Sequence, residues 1–366
     1  MLLPPQLLLP SRTLAGAGTI TKLGVEARTF GSRGLLVHGR ALAAAGRLER
    51  LRAALPDGMT LLTHVHAGGE PTLDEVEAVR ARLLANPVDW VAAVGGGSVI
   101  DLAKAAAGLC GAPQPVAAYQ AGAAIPPARL PLLAAPTTAG TGSEATVVAV
   151  LTDAARVLKQ SIRHPSFMPR LVILDPELLQ GCPPAVVAAS GMDAFVQAFE
   201  SYTSRSATPF TRALSELALV RIAHALPAVY GGDWSCAADL LEGSYVAGLA
   251  LSHARLGVVH GLAHPLGGRW HVPHGLACAA CFPAALKFNR PVIAADLAHL
   301  RASLGCDVET WLETNMARMQ LVSPFRGQPL REHDAIVAET LASGSTAANP
   351  RPVTADDVQG LLEEIF

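Results

Sequence analysis

The chain has 366 residues, 51% of them hydrophobic and 16% charged, with six cysteines, twelve histidines and a formal net charge of −2. That length exceeds one typical domain, so two are expected. The thin, balanced charge excludes a polyanion-binding surface and with it nucleic acid as a partner.

The opening MLLPPQLLLP is apolar but lacks a basic start, and Pro4, Pro5 and Pro10 interrupt it, so it does not read as a signal peptide. No run of about 18 uninterrupted apolar residues follows, and no membrane span is expected. Residues 34–38 (GLLVH) read as a short buried strand. Helical periodicity follows over 41–55, a second strand over 59–64, and an amphipathic helix over 71–86 that opens on Thr72 and Asp74. Residues 89–94 (DWVAAV) form a third strand and run directly into Gly95-Gly96-Gly97-Ser98. Strands alternating with helices imply a parallel sheet with right-handed crossovers. Residues 111–131 read as loop. A further apolar strand at 131–135 leads into PTTAGTGSE at 136–144.

From Pro183 onward the apolar positions recur at helical spacing, over 187–203, 209–226, 236–254 and 277–288. The expected architecture is therefore an α/β dinucleotide-binding domain with a Rossmann-like parallel sheet over 1–178. An all-helical domain follows over 179–366, and the active site is expected in the cleft between them. The six cysteines, at 110, 182, 236, 278, 281 and 306, form no disulfide framework and suit a reducing cytoplasm. Cys278 and Cys281 make a C-x-x-C, read as two small core residues on one helical face because no second thiol pair completes a zinc knuckle.

Two segments point to a pyrophosphate. In the first, a strand runs through glycines into a helix beginning at Val99, so backbone N–H groups and the positive helix end face the ligand. In the second, the hydroxyls and glycines of 137–143 follow a strand's carboxyl end, where open α/β sheets bind ligands. At the end of the first strand stand Gly39 and Arg40. An acid there would take the ribose 2′-hydroxyl of NAD; its absence beside an arginine favours NADPH at least as well as NADH.

Five histidines fall between His253 and His274. His260 and His264 share a helical face, Gly267-Gly268 is expected to end that helix, and Pro273-His274-Gly275 returns a third imidazole from a turn. Asp193 is an acid in an apolar stretch, costly to bury unless paired or metal-bound. One carboxylate with two or three imidazoles suits Zn²⁺ or Fe²⁺. His253 and His271 read as structural.

These residues fall in stretches that resemble the iron-containing (group III) alcohol dehydrogenase family, of the dehydroquinate synthase-like superfamily. They are GGGSVIDLAKA (95–105), PTTAGTGSEAT (136–146), LDPEL (174–178), GMDAFVQAFESYTS (191–204), HGLAHPLGGRWHVPHG (260–275) and SGSTAANPRPVTADDV (343–358), with LLLPSRTLAGAG (7–18) at the start. The resemblance covers essentially the whole chain, in order. It implies metal ligands at Asp193, His260 and His274, with His264 lining the active site as the catalytic histidine. Where the family carries a further histidine this chain has Gln197, whose amide oxygen is a weaker donor: either Gln197 completes a four-ligand set, or the other three ligands form a site more like that of the zinc-dependent polyol dehydrogenases of the same superfamily, which argues against iron. The implied cofactor contacts are Gly39, Gly96, Gly97, Ser98, Asp101, Thr137, Thr138, Thr141, Ser143 and Lys159. The implied activity is metal-dependent, NAD(P)H-linked interconversion of a small-molecule alcohol with an aldehyde or ketone, in a cytoplasmic homo-oligomer (a dimer). Alternatives are maleylacetate reductase-like or polyol (glycerol-type) dehydrogenase activity. A dehydroquinate synthase-like lyase would need more basic residues than Arg255 and Arg269 supply.

Overall fold

The computed structural model describes residues 1–44, 46–156 and 158–366. They form two compact units, one of Leu8–Thr138 with Ser143–Gln180, the other of Gly181–Phe366 joined by Met1–Leu7 and Ala139–Gly142.

The first unit is built on strands β1 (Thr13–Ala15), β2 (Arg33–Gly39), β3 (Thr60–His66), β4 (Trp90–Gly95), β5 (Leu132–Pro136), β6 (Val148–Asp153), β7 (Leu158–Arg163) and β8 (Leu171–Leu174). Six of them make one sheet in the order β1-β8-β5-β4-β2-β3, every neighbouring pair parallel. Its helices are α1 (Leu23–Ala27), α2 (Arg40–Ala44), α3 (Arg47–Ala53), α4 (Leu73–Ala85), α5 (Gly97–Gly108) and α6 (Val116–Gln120). Both sheet faces are covered, which is why the strands read as continuous apolar runs. Leu35 and Val37 pack to one face with Val91 and Ala93, while Leu36 packs to the other with Trp90, Ala92 and Val94.

Three departures from the sequence reading are local. Residues 111–131, read as loop, contain the five-residue helix α6, too short for helical periodicity to mark. The helix expected over 41–55 is two pieces, because Gly46 between them adopts φ 65°, a left-handed conformation that ends a helical run. Ala45 lies outside the described residues. Strands β6 and β7 form an antiparallel hairpin that was not expected at all. Their alternation is weak, and the polar positions of LKQSIR carry little strand signal.

The second unit consists of α7 (Pro184–Thr203), α8 (Pro209–Tyr230), α9 (Ala237–Ala254), α10 (Val258–Trp270), α11 (His274–Leu304), α12 (Val308–Arg318), α13 (His333–Ala342) and α14 (Ala355–Ile365). Helix α7 is its axis and packs against α8, α9 and α11. Phe195 of α7 stacks on Trp311 at 4.0 Å between ring centroids. Local chemistry sets the ends: Thr208 and Thr354 each close a capping box at the start of α8 and α14. Among the described residues α8 is long and apolar enough to cross a bilayer, yet half of that window is buried, as in a core helix.

Candidate metal centre and nucleotide-binding edge

In the helical unit, α7, α10 and α11 bring three of the expected ligands together. Asp193 and His260 are each 2% exposed. Asp193 Oδ1 lies 3.4 Å from His260 Nε2 and 3.8 Å from His274 Nε2. Close approach of α11 to α7 depends on Gly275, since a Cβ there would stand 2.1 Å from the Ala189 carbonyl oxygen and 3.2 Å from Asp193 Cβ. A helix start can press so closely on a neighbour only without a side chain. His274 is thereby the first residue of α11 rather than part of a free turn.

Helix α10 does not stop at Gly267-Gly268 as the sequence suggested. It continues to Trp270 and ends at His271, which takes a left-handed φ of 52°. Glycine inside a helix costs only about 1 kcal/mol, and here the chain folds back so that the Val272 N–H donates to the Gly267 carbonyl at 3.0 Å. Exposed His271 is thus a helix end, and His253 Nδ1 contacts the carbonyl of Leu249 in its own helix at 2.8 Å. Neither belongs to the cluster, in keeping with their structural reading. His264, four residues after His260, stacks on His274 with ring centroids 5.0 Å apart.

Two participants were missed in the sequence. Glu200, two turns after Asp193, is buried; its Oε2 lies 2.6 Å from His260 Nδ1, and its Oε1 accepts the Val259 N–H at 2.7 Å. A carboxylate only accepts, so Nδ1 carries the hydrogen and Nε2 keeps its lone pair for an ion. The other is Cys278. It is fully buried, as its core reading expects, and its Sγ also lies 3.7 Å from His274 Nε2, while Asp193, His260, His274 and Cys278 offer donor atoms all within 4.8 Å of one another. Cys281 keeps the core reading, fully buried three residues on. Helical spacing offered a signal for Cys278, since it stands one turn after His274.

The electrostatics fit a cation. Asp193 Oδ1, His260 Nε2 and Gln197 Oε1 are buried without a hydrogen-bond partner, an arrangement that is costly among protein groups alone. Burial by itself pushes the His260 imidazole down. The facing Cys278, Asp193 and Glu200 outweigh that and hold it well above its ordinary value, so the pocket stabilises positive charge, which a proton on Nε2 supplies until an ion displaces it.

In the sheet unit, the register aligns the carboxyl ends of three strands. His38 of β2 pairs with Val94 of β4, and Gly95 pairs with Pro136 of β5. Gly39, Gly96 and Thr137 therefore succeed one another along one edge. The strand order reverses between β2 and β4, the position at which such sheets form a ligand crevice. Gly96 precedes α5, and no side chain caps the first turn of that helix, which begins Gly97-Ser98. A Cβ at Gly96 would come within 3.2 Å of Thr138 Oγ1, so the glycine keeps this hydroxyl close to the backbone. The cradle suits a pyrophosphate.

Other expected cofactor contacts are engaged elsewhere in the fold. Asp101 accepts from Ser143 Oγ and from the Val150 N–H, and buried Lys104 donates to the Ser143 and Val148 carbonyls at 2.7 and 2.6 Å. This knot fixes the segment after β5. Lys159 Nζ pairs with Glu70 at 2.7 Å, and Thr141 lies in the stretch that groups with the helical unit.

A parallel nucleotide-binding sheet joined in one chain to a helical unit with a carboxylate–histidine cation pocket defines a metal-dependent nicotinamide oxidoreductase. Residues 10–176 match the iron-containing alcohol dehydrogenase family and residues 187–366 match the C-terminal Fe-containing alcohol dehydrogenase family. The chain belongs to the iron-containing alcohol dehydrogenase family. It is 40% identical to the Escherichia coli (strain K12) protein named "Probable alcohol dehydrogenase EutG" over 287 residues, 77% of this chain and 73% of that one. With lactaldehyde reductase of the same organism it is 30% identical over 362 residues, 94% of each chain. The crystal structure of sulfoacetaldehyde reductase from Bifidobacterium kashiwanohense in complex with NAD⁺ superposes with a TM-score of 0.90 at 27% identity, covering 100% of this chain and 99% of that one. The protein is an oxidoreductase that interconverts alcohols and carbonyl compounds, with NAD(P) and a metal as cofactors. The lyase alternative falls away, and Arg269 is in any case held by Glu332 and Glu339.

Proposed function

We propose that this enzyme works on small alcohols and aldehydes, with Asp193, His260 and His274 anchoring its metal and NADPH used at least as well as NADH. The carrying observation is that the buried atoms Asp193 Oδ1 and His260 Nε2 make no hydrogen bond yet face each other at 3.4 Å. Such a pair calls for a cation between its members. When bound, the ion polarises the substrate oxygen and the nicotinamide gives or takes hydride.

The chain's own residues do the rest. Glu200 holds the His260 ring so that Nε2 points to the ion. Gln197, one turn after Asp193, adds a neutral amide oxygen as the weakest donor; its Oε1 is buried without a partner. His264, stacked on His274, receives on a ring nitrogen the proton released from the alcohol oxygen and passes it to solvent. In the sheet unit, the start of α5 and Thr138 hold the pyrophosphate, while Asp101, Ser143 and Lys104 hold the loop that carries Thr137 and Thr138 in shape. The fold does not require glycine at 39, because a Cβ there would meet only Val99 Cγ2 at an ordinary 3.7 Å. We read its bareness as room for the 2′-phosphate, with exposed Arg40 next in sequence. Six free cysteines support a reducing compartment, the cytoplasm.

Metal analysis of purified His260→Ala and His274→Ala tests the anchors. Each variant should lose stoichiometric metal and turnover while keeping its far-UV circular dichroism. Full metal content in either one refutes the ligand set.

A further inference from the structure

We propose that Cys278 supplies the fourth strong ligand, completing an Asp193–His260–His274–Cys278 set that favours zinc over harder ions. The proposal rests on the three anchors assigned above and adds a donor of a different kind. Helix α11 presents His274 and Cys278 one turn apart, so both project from the same face. Cys278 is fully buried, and its Sγ stands 3.7 Å from His274 Nε2.

Distances decide between a core thiol and a ligand. A tetrahedral zinc with bonds of about 2.3 Å to sulfur and about 2.05 Å to nitrogen or oxygen has a sulfur–nitrogen edge of about 3.6 Å and an oxygen–nitrogen edge of about 3.3 Å. The observed edges are 3.7 Å from sulfur to His274, and 3.4 and 3.8 Å from Asp193 Oδ1 to the two imidazoles. Three of the six edges thus stand close to that shell, and the four donors, from three helices, all lie within 4.8 Å of one another. A cysteine serving only to fill space has no need to aim at that polyhedron. Cys281 shows the contrast: it is equally buried three residues along and takes no part in the cluster.

Chemistry then predicts the ion. Thiolate is a soft donor that suits zinc, cobalt and copper(I) better than magnesium or manganese. On coordination the S–H proton leaves for solvent and the sulfur lone pair forms the new bond. With Cys278 in the set, the change to Gln197 costs the site little: the strong donor comes from α11, the weak Gln197 amide yields, and the substrate oxygen takes a fifth position, to which zinc can expand.

The probe is cobalt(II), loaded into the full-length protein after chelator treatment. Wild type should show a sulfur-to-cobalt charge-transfer band in the near ultraviolet. Cys278→Ser should bind cobalt without that band and hold zinc at least about tenfold more weakly in chelator competition. Cys281→Ala and Gln197→Ala should both retain the band. Visible cobalt bands in wild type without charge transfer would overturn the proposal and leave the three anchors standing, as would persistence of the band in Cys278→Ser. Failure of wild type to take up cobalt at all would instead refute the anchors, and the fourth ligand with them.

Discussion

Replacing Glu200 by glutamine should weaken metal binding without emptying any volume, and the reason lies in one proton. In the folded protein the Glu200 carboxylate accepts from the Val259 N–H at 2.7 Å through Oε1 and faces His260 Nδ1 at 2.6 Å through Oε2. A glutamine keeps its oxygen on Val259 and presents its NH₂ to Nδ1. Two donors cannot face each other, so the imidazole hydrogen is driven to Nε2, the nitrogen that should hold the ion. Loss of a buried charged partner to a metal-binding histidine typically weakens the site about 10- to 100-fold, or about 1.4 to 2.7 kcal/mol. The size is unchanged and the Val259 contact survives, so the melting temperature after chelation should move little. Zinc competition against a chromophoric chelator reads the affinity, and thermal unfolding with and without chelator separates it from folding. Unchanged metal affinity in Glu200→Gln would refute the claim that Glu200 sets the His260 tautomer.

Two further outcomes follow from the sheet unit. Gly39→Asp places a carboxylate where the ribose 2′-oxygen is expected, so kcat/KM for NADPH should fall relative to NADH by about tenfold or more, or about 1.4 kcal/mol; an unchanged ratio would show that this strand end does not meet the ribose. Burial pushes the Glu144 carboxyl up to about 7 from its ordinary 4.5, so between those values the folded state holds more protons than the unfolded one and stability falls as pH rises. Glu144→Gln should flatten that decline in denaturant melts at the two ends of the window, and an identical slope in the variant would contradict it. Lys104, pulled down to about 8 by burial, acts with the opposite sign: above that pH the folded state holds fewer protons, and stability rises toward 10.5.

Much of the site could be read in the sequence because its pieces are local. The run from β4 through Gly96 and Gly97 into α5 is contiguous, and so is the spacing of His260 and His264 on one helix. Asp193 stood out as an acid in an apolar helix, which marks a buried charge with a partner to find. What was missed depends on helices meeting in space. Glu200 matters only because α10 begins beside it, and that contact joins residues 60 apart in the chain. Cys278 looked like a filler until α11 was pressed onto α7 over Gly275. The division into units shows the same limit. Met1–Leu7 and Ala139–Gly142 group with the helical unit, whereas periodicity assigns residues only to the element they belong to. The split at Gly46 turns on a backbone dihedral that helical periodicity overrode.

The central claim is that hydride transfer depends on an ion held by Asp193, His260 and His274. The direct measurement is steady-state nicotinamide absorbance with a panel of small aldehydes and NADPH or NADH, on protein as purified, after exhaustive chelation, and after zinc or ferrous iron is restored. Turnover should vanish on chelation and return with one of the two ions in wild type, but not in His260→Ala. Turnover that survives complete removal of the metal would contradict the account.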